Sequence, residues 1–312
     1  MTTTPGYEAL RRGAAMLDVS ARGRIVARGR DRARLLHNLT TNEVKRMTPG
    51  SGCYAFLLSP QGRIQADLYL FCFAEHFLID TQADLREKVP QLIRKYIIAD
   101  QVELEDVTDA TAAIALEGPA SAAVLASLGA AAPGADYSHV QWNDCTIAAV
   151  SASGQPGYRI YCGVDGRAEL VRKLEAAGAA PATEEDARVV AIENGRPRYG
   201  VDIRETSLPQ ETQQMHAVNF TKGCYIGQEI VERIRAQGHV NKKLVRVAMD
   251  AAAPVAAGTK LSAGGAEVGE ITSSVVSPEY GKVMALAIVR AAQSEAGTSW
   301  ESAGGGTGTV LG

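Results

Sequence analysis

Residues 220–234 read FTKGCYIGQEIVERI: a lysine two positions before a cysteine, glycines flanking the pair, then a charged amphipathic segment. A helix beginning near Gln228 puts Cys224 just ahead of its N-terminus, where the helix dipole and the ammonium of Lys222 both favour a thiolate. Such a sulfur is more nucleophilic, and a better metal ligand, than an ordinary thiol. Gly223 and Gly227 permit positive φ and let main-chain N–H groups approach a ligand. The same reading puts Ile230 and Ile234 on the inner face of the helix, pairs Glu229 with Arg233 at i,i+4, and ends the helix at Gly238. A surface turn with an incidental cysteine accounts for these residues too, and local physics leaves both readings open.

Two carboxylates stand in apolar company. Glu193 closes the run RVVAIE ahead of a glycine-proline loop rich in arginine. It is either a helix-end residue or a planar acceptor for paired N–H donors, such as those on a pterin or guanine edge. Asp67 interrupts the strand-like RIQADLYLF, which is costly unless the carboxylate is bonded or faces a cavity. Arginines at 22, 24, 28, 30, 32 and 34 form either a basic face for an anion or a solvated charged edge.

Composition narrows the function classes. The 312 residues are 46% hydrophobic and carry a net charge of -3, so no global field draws the chain to nucleic acid or an anionic membrane. No stretch reaches the ~18 apolar residues of a membrane span, and the N-terminus lacks a signal-peptide block, which predicts a cytoplasmic protein. Five cysteines without a C-x-x-C pair argue against a disulfide framework and a self-contained zinc site. Phosphate-loop, serine-hydrolase and H-E-x-x-H motifs are missing from the sequence.

The elements that must position these residues follow from periodicity. RIVAR reads as a strand stopping at Gly29, before a helix carrying Leu35, Leu36 and Leu39; Gly118 with Val124, Leu125 and Leu128 repeats the pattern. Each copy continues into strands and a second helix. In the first, ADLREKVPQLIRKYI places Leu85, Val89, Leu92, Ile93 and Tyr96 on one face, with a kink at Pro90. In the second, Asp165 caps the helix and Gly178 stops it. From Leu244 onward, short strands with glycine and proline between them predict a small β-barrel or sandwich.

Over nearly its whole length the chain resembles the folate-binding proteins related to the glycine cleavage T-protein. The resemblance rests on MLDVSARGRIVARGRDRARLLHNLTTNEV, LLSPQGRIQADLYLF, ARVVAIENGRPRYGVDI, LPQET and KGCYIGQE. The last is similar, residue for residue, to the K-G-C-Y-x-G-Q-E signature of the YgfZ branch, which is linked to iron-sulfur proteins. The resemblance implies an α+β fold with three domains in a cloverleaf around a central folate-binding hole. Two α+β (ferredoxin-like) domains, over 1–110 and 111–240 and interleaved in sequence, would precede a C-terminal β-barrel over 241–312.

It further implies tetrahydrofolate or a one-carbon derivative as cofactor. Asp67 would lie near the reactive folate nitrogen, Glu193 on the pterin ring, and Tyr199 and Tyr225 among the cofactor contacts. Lys222, Gly223, Cys224, Tyr225, Gly227, Gln228 and Glu229 would form the signature group, and Cys224, Lys222 and Asp67 would be the catalytic residues. T-proteins usually carry Asp-Asp where this chain has Ala66 and Asp67. The function implied is support of iron-sulfur cluster assembly or repair in client enzymes, tRNA-modifying ones included. It would work through transient contacts with client or assembly proteins and none with nucleic acid or membrane. The alternative is folate-dependent aminomethyl transfer of the T-protein type.

Overall fold

The computed structural model of the protein describes residues 3–303 and 305–312. It begins with α1 (Pro5–Arg12), whose first turn is capped by the Thr4 hydroxyl accepting from Tyr7 N–H. Next come β1 (Ala15–Asp18), β2 (Gly23–Arg28) and α2 (Arg32–Leu39). The hairpin of β3 (Gly52–Leu58) and β4 (Ile64–Cys72) leads to β5 (His76–Thr81), α3 (Lys88–Arg94) and β6 (Glu103–Asp106). The second copy runs β7 (Thr111–Glu117), α4 (Ser121–Ser127), β8 (His139–Trp142), β9 (Cys145–Ala148), β10 (Gly157–Gly163), α5 (Arg167–Ala176) and β11 (Ala180–Pro181). After α6 (Glu184–Glu193) and α7 (Gln228–Gln237), the chain turns to β structure alone. These last strands are β12 (Lys242–Met249), β13 (Lys260–Ala263), β14 (Ala266–Ser277), β15 (Lys282–Arg290), β16 (Ser299–Ser302) and β17 (Thr307–Val310).

The strands sort into three bodies. A five-stranded sheet has the order β3-β4-β5-β2-β6, a six-stranded sheet the order β11-β1-β7-β10-β9-β8, and β12 to β17 close into a barrel. This is the three-part α+β architecture with a C-terminal barrel that the sequence predicts. The first two bodies exchange chain segments. β1 leaves the first copy to pair with β7 and β11, while Tyr199, Ile203, Val218, Tyr225 and Val231 pack into the core under β3 and β4. A shared cluster of Val26, Phe71, Leu78, Ala113, Ala148 and Tyr161 joins the two sheets, and Ile192 of α6 packs with Leu244, Val275 and Met284 of the barrel.

The repeated strand-turn-helix unit has a steric basis. Gly29 and Gly118 sit at φ +104 and +123, and a Cβ there would lie 2.0 Å from Gln101 O and 2.5 Å from Gly13 O respectively. Only glycine fits either turn.

Several local expectations are corrected. Pro90 lies in the first turn of α3, where its missing N–H costs nothing, and Tyr96 is exposed beyond the helix end. Asp165 does not cap α5, whose N-cap is Gly166 without a side-chain bond. On α7, Val231 is the buried residue while Ile230 and Ile234 are half-buried. Among the described residues the ion pair on α7 is Arg235 to Glu232 at 3.5 Å, and Glu229 makes none with Arg233. Among the described residues no helix is long and apolar enough to cross a membrane.

Candidate functional site

All three bodies contribute to one cavity of about 640 Å³. Tyr54, Asp67 and Tyr69 come from the first sheet and Arg22 from the turn before its β2, Glu117 and Arg159 from the second, and Ser273 from the barrel. α6 and the loop after it supply Arg188, Ile192, Arg196 and Tyr199. A pocket of this size, walled by aromatics with a few convergent polar groups, suits a small organic ligand.

Asp67 is the polar centre of the wall. β4 alternates, so Ala66 faces the first core at 0% exposure while Asp67 turns to the cavity at 5%. Its Oδ2 accepts from the Tyr54 hydroxyl at 3.1 Å, and its Oδ1 is buried without a protein partner. Burial raises the Asp67 pKa above its ordinary value, with the positive charge of Arg22 and the Tyr54 bond opposing the rise. The carboxyl therefore keeps its proton to a higher pH than an exposed aspartate and presents a free oxygen to whatever enters.

Beside it lies a charge network that the sequence reading missed. Asp80, wholly buried, accepts from Tyr161 at 2.7 Å and pairs with Arg22 at 2.6 Å and Arg159 at 2.9 Å. Burial pushes the Asp80 carboxyl up, but the two arginines outweigh it and hold it below its usual range. Both guanidinium groups lie over the Tyr69 ring, at 5.7 and 5.1 Å. Arg159 leaves its Nε without an acceptor, so the wall offers a buried donor as well as the Asp67 acceptor. The same signal that picked out Asp67, a charge inside an apolar strand, was present in HFLIDT and GYRIYCG.

An aromatic group completes that side. Tyr54 stacks on His216 at 5.4 Å, and Tyr137, at φ +61, stacks on His216 at 6.3 Å. Glu117 is held differently: its carboxylate accepts from Ser151 Oγ at 2.9 Å, Ala152 N at 2.9 Å, Ser153 N at 3.0 Å and Ser153 Oγ, which fixes the loop between β9 and β10.

The other residues singled out from sequence fall into three places. Tyr199 lines the cavity and donates to Gln65 O at 2.7 Å. Glu193 does not line it. The Glu193 side chain is fully enclosed, paired with Arg11 at 2.7 Å and accepting from Tyr7 at 2.9 Å and Ser277 at 2.5 Å, so it ties α1 and α6 to the barrel. A role as reader of a ligand ring is not what this geometry provides, because the side chain is enclosed among Arg11, Tyr7 and Ser277 and stands off the cavity lining.

The signature group also lies outside the cavity lining. The Lys222 ammonium has three N–H donors, and they go to His37 O at 2.5 Å, Thr40 O at 2.5 Å and Asn42 O at 2.8 Å, the last turn of α2 and the residues just beyond it. None of the three is bonded to Cys224, which is exposed. Burial draws the Lys222 pKa down to about 8, and Tyr225 lies buried under the ammonium at 4.9 Å. Gln228 Oε1 accepts from Tyr225 N at 3.0 Å. Gly227, at φ +82, approaches the β3–β4 hairpin so closely that a Cβ would meet Ser59 O at 2.6 Å. The motif thus docks α7 against the hairpin that carries Asp67. The row of arginines is no common face either, since Arg24 is 1% exposed and bonded to Thr108, Thr111 and Ser20.

Comparison with known proteins agrees with this architecture. Residues 3–222 match the GCVT N-terminal domain and residues 242–308 the glycine cleavage T-protein C-terminal barrel domain. The chain is 30% identical over 290 residues to an aminomethyltransferase of Rubrobacter xylanophilus, covering 91% of this chain and 78% of the relative. To an aminomethyltransferase of Geobacillus kaustophilus it is 31% identical over 298 residues, covering 91% and 81%. Glycine cleavage system aminomethyltransferase T from Bartonella henselae has the same fold, with a TM-score of 0.89 at 20% identity over 98% of this chain and 87% of that one.

These relatives overturn the narrower resemblance. The similarity runs to aminomethyltransferases across about nine-tenths of the chain, so neither the YgfZ branch nor iron-sulfur assembly and tRNA modification stands as its assignment. The geometry agrees, with the Lys222 donors spent on the backbone and Cys224 away from the cavity lining. With both of its domain signatures matched in order, the chain belongs to the glycine cleavage T-protein family.

Proposed function

We propose that the protein is a folate-dependent aminomethyltransferase of the T-protein type, with Asp67 as its proton-handling residue. The observation that carries this reading is the buried, unpartnered Oδ1 of Asp67 on the wall of a cavity bounded by all three bodies. Buried polar atoms are rarely left unpaired, and one facing a cavity invites a ligand hydrogen bond. Family membership implies a capacity to bind folate, and the lining fits one. The wall presents an acceptor at Asp67, a donor at Arg159 Nε and aromatic faces at Tyr54, Tyr137 and His216. Arg188 and Arg196, exposed and without an acidic partner among the described residues, suit the carboxylates of its tail.

Tetrahydrofolate, when bound, supplies the nucleophilic ring nitrogen that accepts the one-carbon unit. The protein's own contribution is positional and electrostatic. Asp67 holds or releases a proton at Oδ1, Tyr54 fixes the rotamer of that carboxyl, and the Arg22–Asp80–Arg159 network sets the local field. The aromatic wall excludes water and so strengthens each of these interactions. Ala66 takes nothing from this chemistry. The position where T-proteins usually have a further aspartate points into the core here, away from the cavity.

The test is ammonia release from an aminomethylated lipoyl carrier with and without tetrahydrofolate. Folate-dependent release is expected, falling about 10²–10³-fold in Asp67→Asn. No release, with a carrier that serves another aminomethyltransferase, overturns the reading.

A further inference from the structure

We propose that Cys145 and Cys162 are a redox pair that closes into a cross-strand disulfide when the protein meets a small disulfide of the glutathione type. The two residues share a register. Thr146 of β9 lies opposite Tyr161 of β10, so the next step of the antiparallel ladder sets Cys145 against Cys162. They also share a face: Cys162 is part of the second sheet's core cluster, and Cys145 packs against that same cluster. Directly opposed residues have Cβ atoms about 4.5–5.5 Å apart, within about 1 Å of what a disulfide needs.

Access and reactivity are divided between the two. Cys162 is buried, whereas Cys145 is half-buried and follows the tight turn at Asn143, whose φ is +50. The neighbouring Cys162 thiol lowers the Cys145 pKa against the effect of burial, and that of Cys162 rises in turn. Cys145, the more accessible of the two, is the thiol that reacts first.

The step balances as two exchanges. The Cys145 thiolate attacks one sulfur of the oxidant's S–S bond and expels one glutathione thiolate. Cys162 then loses its proton, attacks Cys145 Sγ in the mixed disulfide and expels the second. The protein gives up two electrons and two protons, and the oxidant becomes two thiols. The closed bond would pin β9 to β10 just upstream of Ala149, Ser151 and Ala152, which line the cavity, so oxidation stiffens one wall of the site. Neither cysteine lines the cavity, and the proton chemistry assigned to Asp67 does not depend on them.

The experiment treats the full chain with glutathione disulfide, alkylates the remaining thiols and maps the peptides. A Cys145–Cys162 linkage that dithiothreitol reverses is expected, together with a rise in Tm of about 5 °C over the reduced protein. Cys162→Ser should instead trap glutathione on Cys145, and Cys145→Ser should remove both the linkage and the Tm rise. Two free thiols at these positions after full equilibration overturn the proposal. So does a glutathione adduct that persists on Cys145 of the unsubstituted chain, or a linkage of either residue to Cys53, Cys72 or Cys224. The peptide map needs no substituted protein, so poor folding of a serine variant does not blunt the test.

Discussion

The Tyr54 hydroxyl reaches Asp67 diagonally across the β3–β4 ladder. Tyr54 is paired with Tyr69 and Asp67 with Phe56, yet the hydroxyl lies 3.1 Å from Asp67 Oδ2. This bond occupies one carboxylate oxygen and leaves the other for the cavity. It also favours the ionised form, since it opposes the rise that burial causes.

Replacing Tyr54 with Phe should therefore raise the Asp67 pKa further and move the acid limb of the kcat–pH profile upward. A loss of about 10-fold in kcat near neutrality, with KM for folate held within about 2-fold, is expected. A profile that does not move would show that Asp67 is not the group being titrated.

Asp67→Asn separates stability from activity. The folded-state pKa of Asp67 lies above its unfolded value, so between the two the native chain holds a proton that the unfolded chain has lost. Stability from this site is present at low pH and declines as pH rises through the folded pKa. The asparagine variant should thus have a higher Tm than the parent at pH 8 and the same Tm near pH 3, while transfer falls about 10²–10³-fold. Thermal melts across that range decide it, and an equal or lower Tm at pH 8 contradicts the assigned burial cost.

Glu193→Gln leaves Arg11, which is 11% exposed, beside a neutral amide, and weakens the tie from α1 to the barrel. Breaking such a pair costs about 3 kcal/mol. Denaturant melts should show that loss, and titration with folate should give a Kd changed by less than about 3-fold. A large loss of affinity in a protein of parental stability would restore Glu193 as a ligand contact.

Lys222→Met removes an ammonium from three carbonyls at the end of α2. Leaving those acceptors unsatisfied should cost about 2–3 kcal/mol. Gly227→Ala forces a Cβ against Ser59 O and should destabilise by a similar route. Both variants should melt early. If either keeps its stability while losing only catalysis, the motif is chemical rather than structural.

Much of this was legible in the sequence where one residue answers to one local rule. Gly29 and Gly118 marked their turns because no side chain fits them, and Asp67 stood out because an acid in an apolar strand requires a cavity or a partner. The reading failed where neighbours are distant in the chain. Lys222 looks like an activator of Cys224 two residues away, yet its donors reach back to the 37–42 segment. Glu193 reads as a ligand acceptor until Arg11 and Ser277 close on it from opposite ends of the chain. Arg22, Asp80 and Arg159 form a network only once two sheets face each other, and no spacing within either segment announces that.

The loan of β1 to the second sheet and the return of residues 199–231 to the first core make the two halves topologically inseparable. On the ribosome the first α+β core cannot close when its own strands emerge, because it waits for Val231 to be synthesised. Long-range closure of this kind slows folding and lengthens exposure of unfinished sheet edges. A nascent chain halted after β6 should accordingly depend on chaperones, and cutting the gene there should yield fragments that assemble only when both are present.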